Sequence, residues 1–388
     1  DAAVKALGAK AIDAKTVEVT LEAPSPYFIA LTSFSTLNVV DKKVVEANPD
    51  WATKAETYVS AGPYKLTKWE HKKQLDLVKN ENYWDAANVK TDKLTFYMVE
   101  EQATFLNMYE SNQLDVTEQP GASEAPRLLK EGQLKVSPMF GTYFWNFNVT
   151  KAPFNNVKVR QALSLAIDRN AIVKNVMRAG QQPANAFVAP GSMDADGKTD
   201  YRQVGGDLFK EDVAKAKQLL AEAGYPDGKN FPEATFLYNT SDDHKAIAEA
   251  VLEMWKKNLG ITSIKMENTE WKVVLDKRQH LDYDIARASW IGDYVDPMTF
   301  MDMFVTDGGN NDIGWSNPKY DQLIKEAKST ADQKVRMAKM HEAEKVFMDE
   351  MPILPIYYYN NQFLQKENIT GVYRSSLGMI DFKWAEVK

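Results

Sequence analysis

Arg287, Trp290, Asp293 and Asp296 crowd into one short run, Arg287-Ala288-Ser289-Trp290-Ile291-Gly292-Asp293-Tyr294-Val295-Asp296-Pro297. A guanidinium offers a planar fork to a carboxylate. An aspartate holds a cation such as an amine, and the indoles of Trp290 and Trp271 offer apolar walls with a polar edge. Together these residues suit a zwitterion with a variable middle. A plainer alternative stands beside that reading: Arg287 and Asp293 pair with each other and the tryptophans fill core. Asp293 and Asp296 also form a carboxylate pair. With Trp290 as a stacking platform they fit a glycan-active hydrolase, provided the carboxyls sit about 5–9 Å apart across a bond. Aspartates beside a turn more often serve as caps or ion-pair partners, which weighs against catalysis.

Other chemistries find less support. The chain has no cysteine, which excludes disulfides, thiolate metal sites and cysteine catalysis. His71, His244, His280 and His341 are widely separated, and Asp307-Gly308-Gly309 lacks the spacing of a calcium loop. Gly205-Gly206 and Gly308-Gly309 match no phosphate-cradling pattern and read as turns. No GxSxG is present. No metal and no cofactor are expected. A net charge of −7 lacks the basic footprint of a nucleic-acid binder. No apolar run approaches the roughly 18 residues of a membrane-spanning helix. A length of 388 residues with 44% apolar content is enough for two or three domains with large cores.

The elements that must position these residues show in the hydrophobic periods. Alternation predicts a half-buried strand over residues 16–21, then a short apolar helix after Pro26-Tyr27-Phe28. Residues 61–100 read as β-rich, with strand residues Tyr64, Leu66, Trp69, Leu75, Leu77, Leu94, Phe96 and Met98. Tyr143, Phe144, Trp145 and Phe147 form a further aromatic strand. Helical spacing follows over 156–167, over 171–178 with Asp168 as its cap, and over 210–223 with Gly224 closing it. Then strands over 234–238, 263–266 and 283–290 alternate with helices over 242–258 and 270–279. That β-α-β-α-β order predicts a mostly parallel sheet with crossover helices. Helices over 318–329 and 332–350 and a buried strand over 352–359 complete the chain. A strand ending in charged and aromatic residues is where open α/β sheets place ligands.

The ordered series of motifs resembles the oligopeptide-binding branch of the extracytoplasmic peptide/nickel solute-binding proteins, receptors of ABC importers. The likeness spans essentially the whole chain. It is carried by Val17-Glu18-Val19-Thr20-Leu21 with Pro26-Tyr27-Phe28, Ala61-Gly62-Pro63-Tyr64-Lys65-Leu66, Asn82-Tyr83-Trp84, Asn107-Met108-Tyr109, Pro153-Phe154-Asn155-Asn156-Val157 through Ala162-Leu163, Leu237-Tyr238-Asn239-Thr240-Ser241, and Trp290 through Pro297.

The resemblance implies an α/β fold of two lobes and three domains, hinged like periplasmic binding proteins and here N-terminally truncated. Residues 1–40 would be a remnant of the second, small domain. Residues 41–140 with 361–388 would form the first lobe, and 141–360 the second lobe carrying the peptide-binding strand. It implies no enzyme activity but an extracytoplasmic receptor, periplasmic or lipid-anchored, whose partners are short peptides and the membrane subunits of an importer. Asp293 would receive the peptide amine, and the backbone at Ser289 and Ile291 would pair with the peptide. Arg287 and His244 would meet its C-terminus. Asn239, Trp271, Arg278 and Trp290 would line side-chain pockets. Asp296 becomes a structural aspartate before Pro297. A narrower reading keeps the family but tunes it to dipeptides, nickel chelates or haem.

Two departures accompany the likeness. Relatives with a disulfide between the positions of Gly141 and Ile291 have a crosslink that this chain lacks. Relatives also carry a further N-terminal segment the size of a domain, with the export signal. Asp1 opens without a methionine or a signal-like stretch, so a processed or truncated product is expected, along with a complementing N-terminal fragment as a partner.

Overall fold

The computed structural model describes residues 7–388. Near its start, β1 (Ala9–Ala11) and β2 (Val17–Val19) pair antiparallel. Every residue of both is exposed, including Val17 at 69%. The expected half-buried strand is therefore a strand, but not a half-buried one. Alternation creates an apolar face without supplying anything to cover it. The short helix Phe28–Leu31 follows as predicted.

The β-rich region folds as an antiparallel sheet of β3 (Tyr64–Glu70), β4 (Gln74–Lys79) and β5 (Lys93–Tyr97). The main sheet then gathers β6 (Val116–Glu118), β7 (Lys135–Phe147), β8 (Gln182–Pro183), β9 (Ala234–Asn239), β10 (Ile264–Thr269), β11 (Ile285–Ile291) and β12 (Ile353–Gln365). Its order is β10-β9-β11-β7-β12-β6, with β8 also on β12. Only β10, β9 and β11 run parallel, and every pairing from β7 onward is antiparallel. The expectation of a mostly parallel sheet is corrected to a mixed one. The βαβ reading was right for its three strands. The strands they join, β7 and β12, lie far away in sequence, where no crossover helix sets direction.

β7 is the centre of the molecule. Its alternating side chains enter two different cores. Phe140 and Phe144 pack with the helices Pro318–Lys328 and Gln333–Glu350 through Tyr320, Met340 and Phe347. Tyr143, Trp145 and Phe147 pack with Val157–Leu165, Val213–Glu222 and Asp242–Leu259 through Leu163, Leu220, Val251 and Trp255. Trp145 stacks on Phe236 at 3.7 Å and is fully buried. Truncating a side chain of that size typically costs about 3–5 kcal/mol. The helices start where short polar side chains accept backbone N–H groups: Asn156, Ser241, Asn317 and Asp332. The Asp242–Leu259 helix ends at Gly260, whose φ of 74° favours glycine. Among the described residues no helix is long and apolar enough to cross a membrane.

Candidate functional site

β11 lies between two strands that treat it differently. β7 pairs along its whole length, from Ile285↔Phe147 to Ile291↔Gly141. β9 pairs only at Ile285↔Phe236 and Ala286↔Leu237. Gly292 N–H donates to the Phe140 carbonyl (2.8 Å), and the Asp284 carbonyl accepts from Asn148 N–H (2.9 Å). Backbone polar groups alternate sides along a strand, so the even-numbered residues address β7. The N–H and C=O groups of Arg287, Ser289 and Ile291 therefore face the side from which β9 has diverged. Among the described residues no strand pairs with them there.

Arg287 closes one end of this open edge. It is 8% exposed, and its side chain makes one hydrogen bond, from Nη2 to the Tyr359 hydroxyl at 2.9 Å. Its Nε has no partner. The guanidinium lies over the rings of Tyr143 (5.1 Å) and Trp271 (5.6 Å), a favourable arrangement but no substitute for a counter-ion. The Tyr143 hydroxyl is 3.4 Å from Nδ1 of His244, on the first turn of the helix capped by Ser241. Burial, and after it the Arg287 charge, push His244 down to about 3. Its ring is neutral at physiological pH and takes part as a hydrogen-bonding group only.

Asp293 closes the other end, just past Gly292. A Cβ on Gly292 would come within 2.6 Å of the Phe140 ring, so glycine is what lets the chain turn here. Asp293 N–H donates to Thr299 Oγ1 (3.1 Å), and Trp290 Nε1 donates to the same hydroxyl (3.2 Å). Burial raises the Asp293 carboxyl above its ordinary range. Among the described residues it has no ion-pair partner. Pairing of Arg287 with Asp293 is thereby overturned. The tryptophans divide: Trp271 is 44% exposed, whereas Trp290 is half-buried and packs against the core that holds Phe140.

Asp296 behaves otherwise. Arg336 grips both of its oxygens, Nη1 on Oδ2 at 2.9 Å and Nη2 on Oδ1, and Met298 N–H donates to Oδ1 (2.9 Å). The residue is buried. A carboxylate so occupied has no oxygen for proton transfer, so the glycan-hydrolase alternative is overturned. Arg278 is similarly engaged. Its Nε and Nη2 both lie 2.6 Å from Oδ2 of Asp312, whose other oxygen takes Asn146 Nδ2 (3.0 Å). Asn239 ends β9, and its Oδ1 is buried without a partner. Gly141 and Ile291 are cross-strand neighbours and pack directly against each other.

The structure thus brings Arg287, His244 and Trp271 together at one end and Trp290 and Asp293 at the other, with the Ser289–Ile291 edge between. Sequence reasoning missed the walls around Arg287: Tyr143 and Tyr359 were read only as strand residues. The alternation of Tyr357 and Tyr359 on one face of β12 was the available signal. It also missed Asp243, beside His244 in the helix's first turn.

Residues 2–312 match the family model described as bacterial extracellular solute-binding proteins, family 5 Middle. The chain is 41% identical to the dipeptide-binding protein DppE of Bacillus subtilis, over 96% of this chain and 68% of that protein. It superimposes on Haemophilus influenzae OppA in complex with the peptide RPPGFSPFR with a TM-score of 0.85 and 32% identity, covering 98% of this chain and 75% of the other. Against the Escherichia coli murein tripeptide binding protein MppA the TM-score is 0.85 at 33% identity, covering 99% and 75%. Against the unliganded open form of MppA it falls to 0.67 over 98% and 73%.

Proposed function

We propose, because this chain belongs to family 5 of the bacterial extracellular solute-binding proteins, that it captures short peptides in extended form and delivers them to an ABC importer. The observation that carries this reading is the open β11 edge with an uncompensated cation at one end and an uncompensated carboxylate at the other. A peptide laid along that edge pairs with the N–H and C=O groups of Ser289 and Ile291, which gives affinity without reading sequence. Asp293 takes its ammonium. Arg287, with His244 as a neutral hydrogen-bonding neighbour, takes its carboxylate. Trp271, Trp290 and Asn239 border its side chains, and Arg278 shapes that wall through Asp312. The six residue-to-residue steps from Arg287 to Asp293 span at most about 20 Å when extended, which suits a peptide of a few residues.

The second lobe, residues 141–360, carries these groups. Residues 41–140 with 361–388 form the lobe that closes on them, and residues 1–40, of which 1–6 lie outside the described residues, are a remnant of the small domain. Chemistry of this kind binds and releases and makes no covalent bond. The receptor works outside the cytoplasm, in a periplasm or lipid-anchored at a cell surface. Its further partners are the importer's membrane subunits. A dipeptide preference is the second reading, favoured by the name of DppE.

Calorimetry on the full-length protein tests the proposal. Free-amine tri- to pentapeptides should bind, and Asp293→Ala should lose most of that affinity. Equal binding of N-acetylated peptides to the wild type would sink the amine anchor. Tight binding confined to dipeptides would favour the second reading.

A further inference from the structure

Among the described residues the cleft holds three buried or half-buried charges without a counter-ion, and the proposed peptide termini account for two of them. The third is Asp243. It lies at the start of the Asp242–Leu259 helix, next to His244, on the wall that also presents the Tyr143 hydroxyl. Its Oδ1 accepts a long hydrogen bond from Ala122 N–H (3.4 Å), which reaches across from the loop after β6. That loop is shaped closely around its neighbours. Gly121 has a φ of 93°, and a Cβ there would lie 2.7 Å from the Gln102 side-chain oxygen. Asp243 is therefore enclosed between the site wall and the facing loop.

Acidic residues are common in the first turn of a helix, where the dipole favours them, and Asp242 and Asp243 both lie there, Asp242 in solvent. Asp243 differs in being half-buried, and burial raises its carboxyl above the ordinary range despite the Ala122 hydrogen bond. Among the described residues no lysine, arginine or histidine pairs with it. Arg287, the cation of this wall, donates to Tyr359 instead. A desolvated carboxylate left this way is unfavourable until a cation reaches it.

We propose that Asp243 is a specificity-determining residue that selects peptides carrying a lysine or arginine side chain at the last or penultimate position. The inference rests on the peptide reading given above. Arg287 anchors the peptide carboxylate on the same wall, so the side chains nearest the C-terminus are those within reach of Asp243. An ammonium or guanidinium there forms a charge-assisted hydrogen bond with an acceptor that burial has already partly desolvated.

The test is titration calorimetry of the full-length protein with tetrapeptides that differ only by lysine against norleucine at each position in turn. Wild type should prefer lysine about tenfold at one of the last two positions. Asp243→Asn, which keeps the shape and an acceptor for Ala122 N–H, should bring the two peptides to parity while norleucine peptides bind as before. No lysine preference in the wild type, or a preference that survives Asp243→Asn, overturns the assignment and leaves peptide capture standing. Wild type that binds none of the tetrapeptides overturns both.

Discussion

Two buried arginines of this molecule make opposite use of burial. Arg336 is 1% exposed and holds both oxygens of Asp296, so its charge is matched. Arg287 is nearly as buried, yet meets one tyrosine hydroxyl and two aromatic faces. Other buried arginines side with Arg336. Arg278 pairs with Asp312 and Arg202 with Glu344, while Arg169 donates to the carbonyls of Pro355, Ser164 and Ile167. Burying an ion without a counter-charge costs several kcal/mol. The fold gives these other buried arginines a carboxylate or several carbonyl acceptors and leaves Arg287 with a single hydroxyl, which suits the carboxylate anchor proposed for it.

The largest expected effect comes from breaking the matched pair. Arg336→Leu strands the Asp296 carboxylate and should destabilise the fold by about 3–5 kcal/mol in denaturant unfolding. Arg287→Met, by contrast, removes a lone buried cation. It should leave stability within about 1 kcal/mol of wild type or raise it, while abolishing most peptide affinity. If Arg287→Met unfolds the protein as Arg336→Leu does, the contrast is wrong. Asp293→Ala should cost about 2–5 kcal/mol of peptide binding, read by calorimetry, with a negligible change in melting temperature.

At neutral pH the smallest effect concerns His244. Its folded value near 3 lies below the unfolded value of about 6.5, so the unfolded chain binds more protons between those limits. Stability is then full above about pH 6.5 and declines as pH falls toward 3. His244→Gln should flatten that decline in pH-dependent melting. Peptide affinity should show no histidine inflection between pH 5 and 8, and a step near 6.5 in the wild type only would refute a neutral His244.

Local signals were legible where local physics decides. The β3–β5 meander, the helix cap at Asp168 and the stop at Gly224 each follow from residues within a few positions. The β2 exposure was not legible, because alternation marks a face without naming what covers it. Nor was the antiparallel joining of β11 to β7 and of β7 to β12, which brings residues from three distant stretches side by side.

The candidate site divides in the same way. Residue types in the 287–297 run were enough to propose an anchor for an amine and one for a carboxylate, since charge and hydrogen-bonding capacity are intrinsic to a side chain. Which carboxylate stays free was decided only by the tertiary structure. Asp293 and Asp296 are chemically the same group three residues apart, and Arg336, forty positions further along, captures one and not the other. The open edge at Ser289 and Ile291 likewise exists only because β9 turns away after Leu237 while β7 continues to Gly141. Whether a charge or a backbone group is available to a ligand depends on what else the fold places beside it, and those neighbours are remote in the chain.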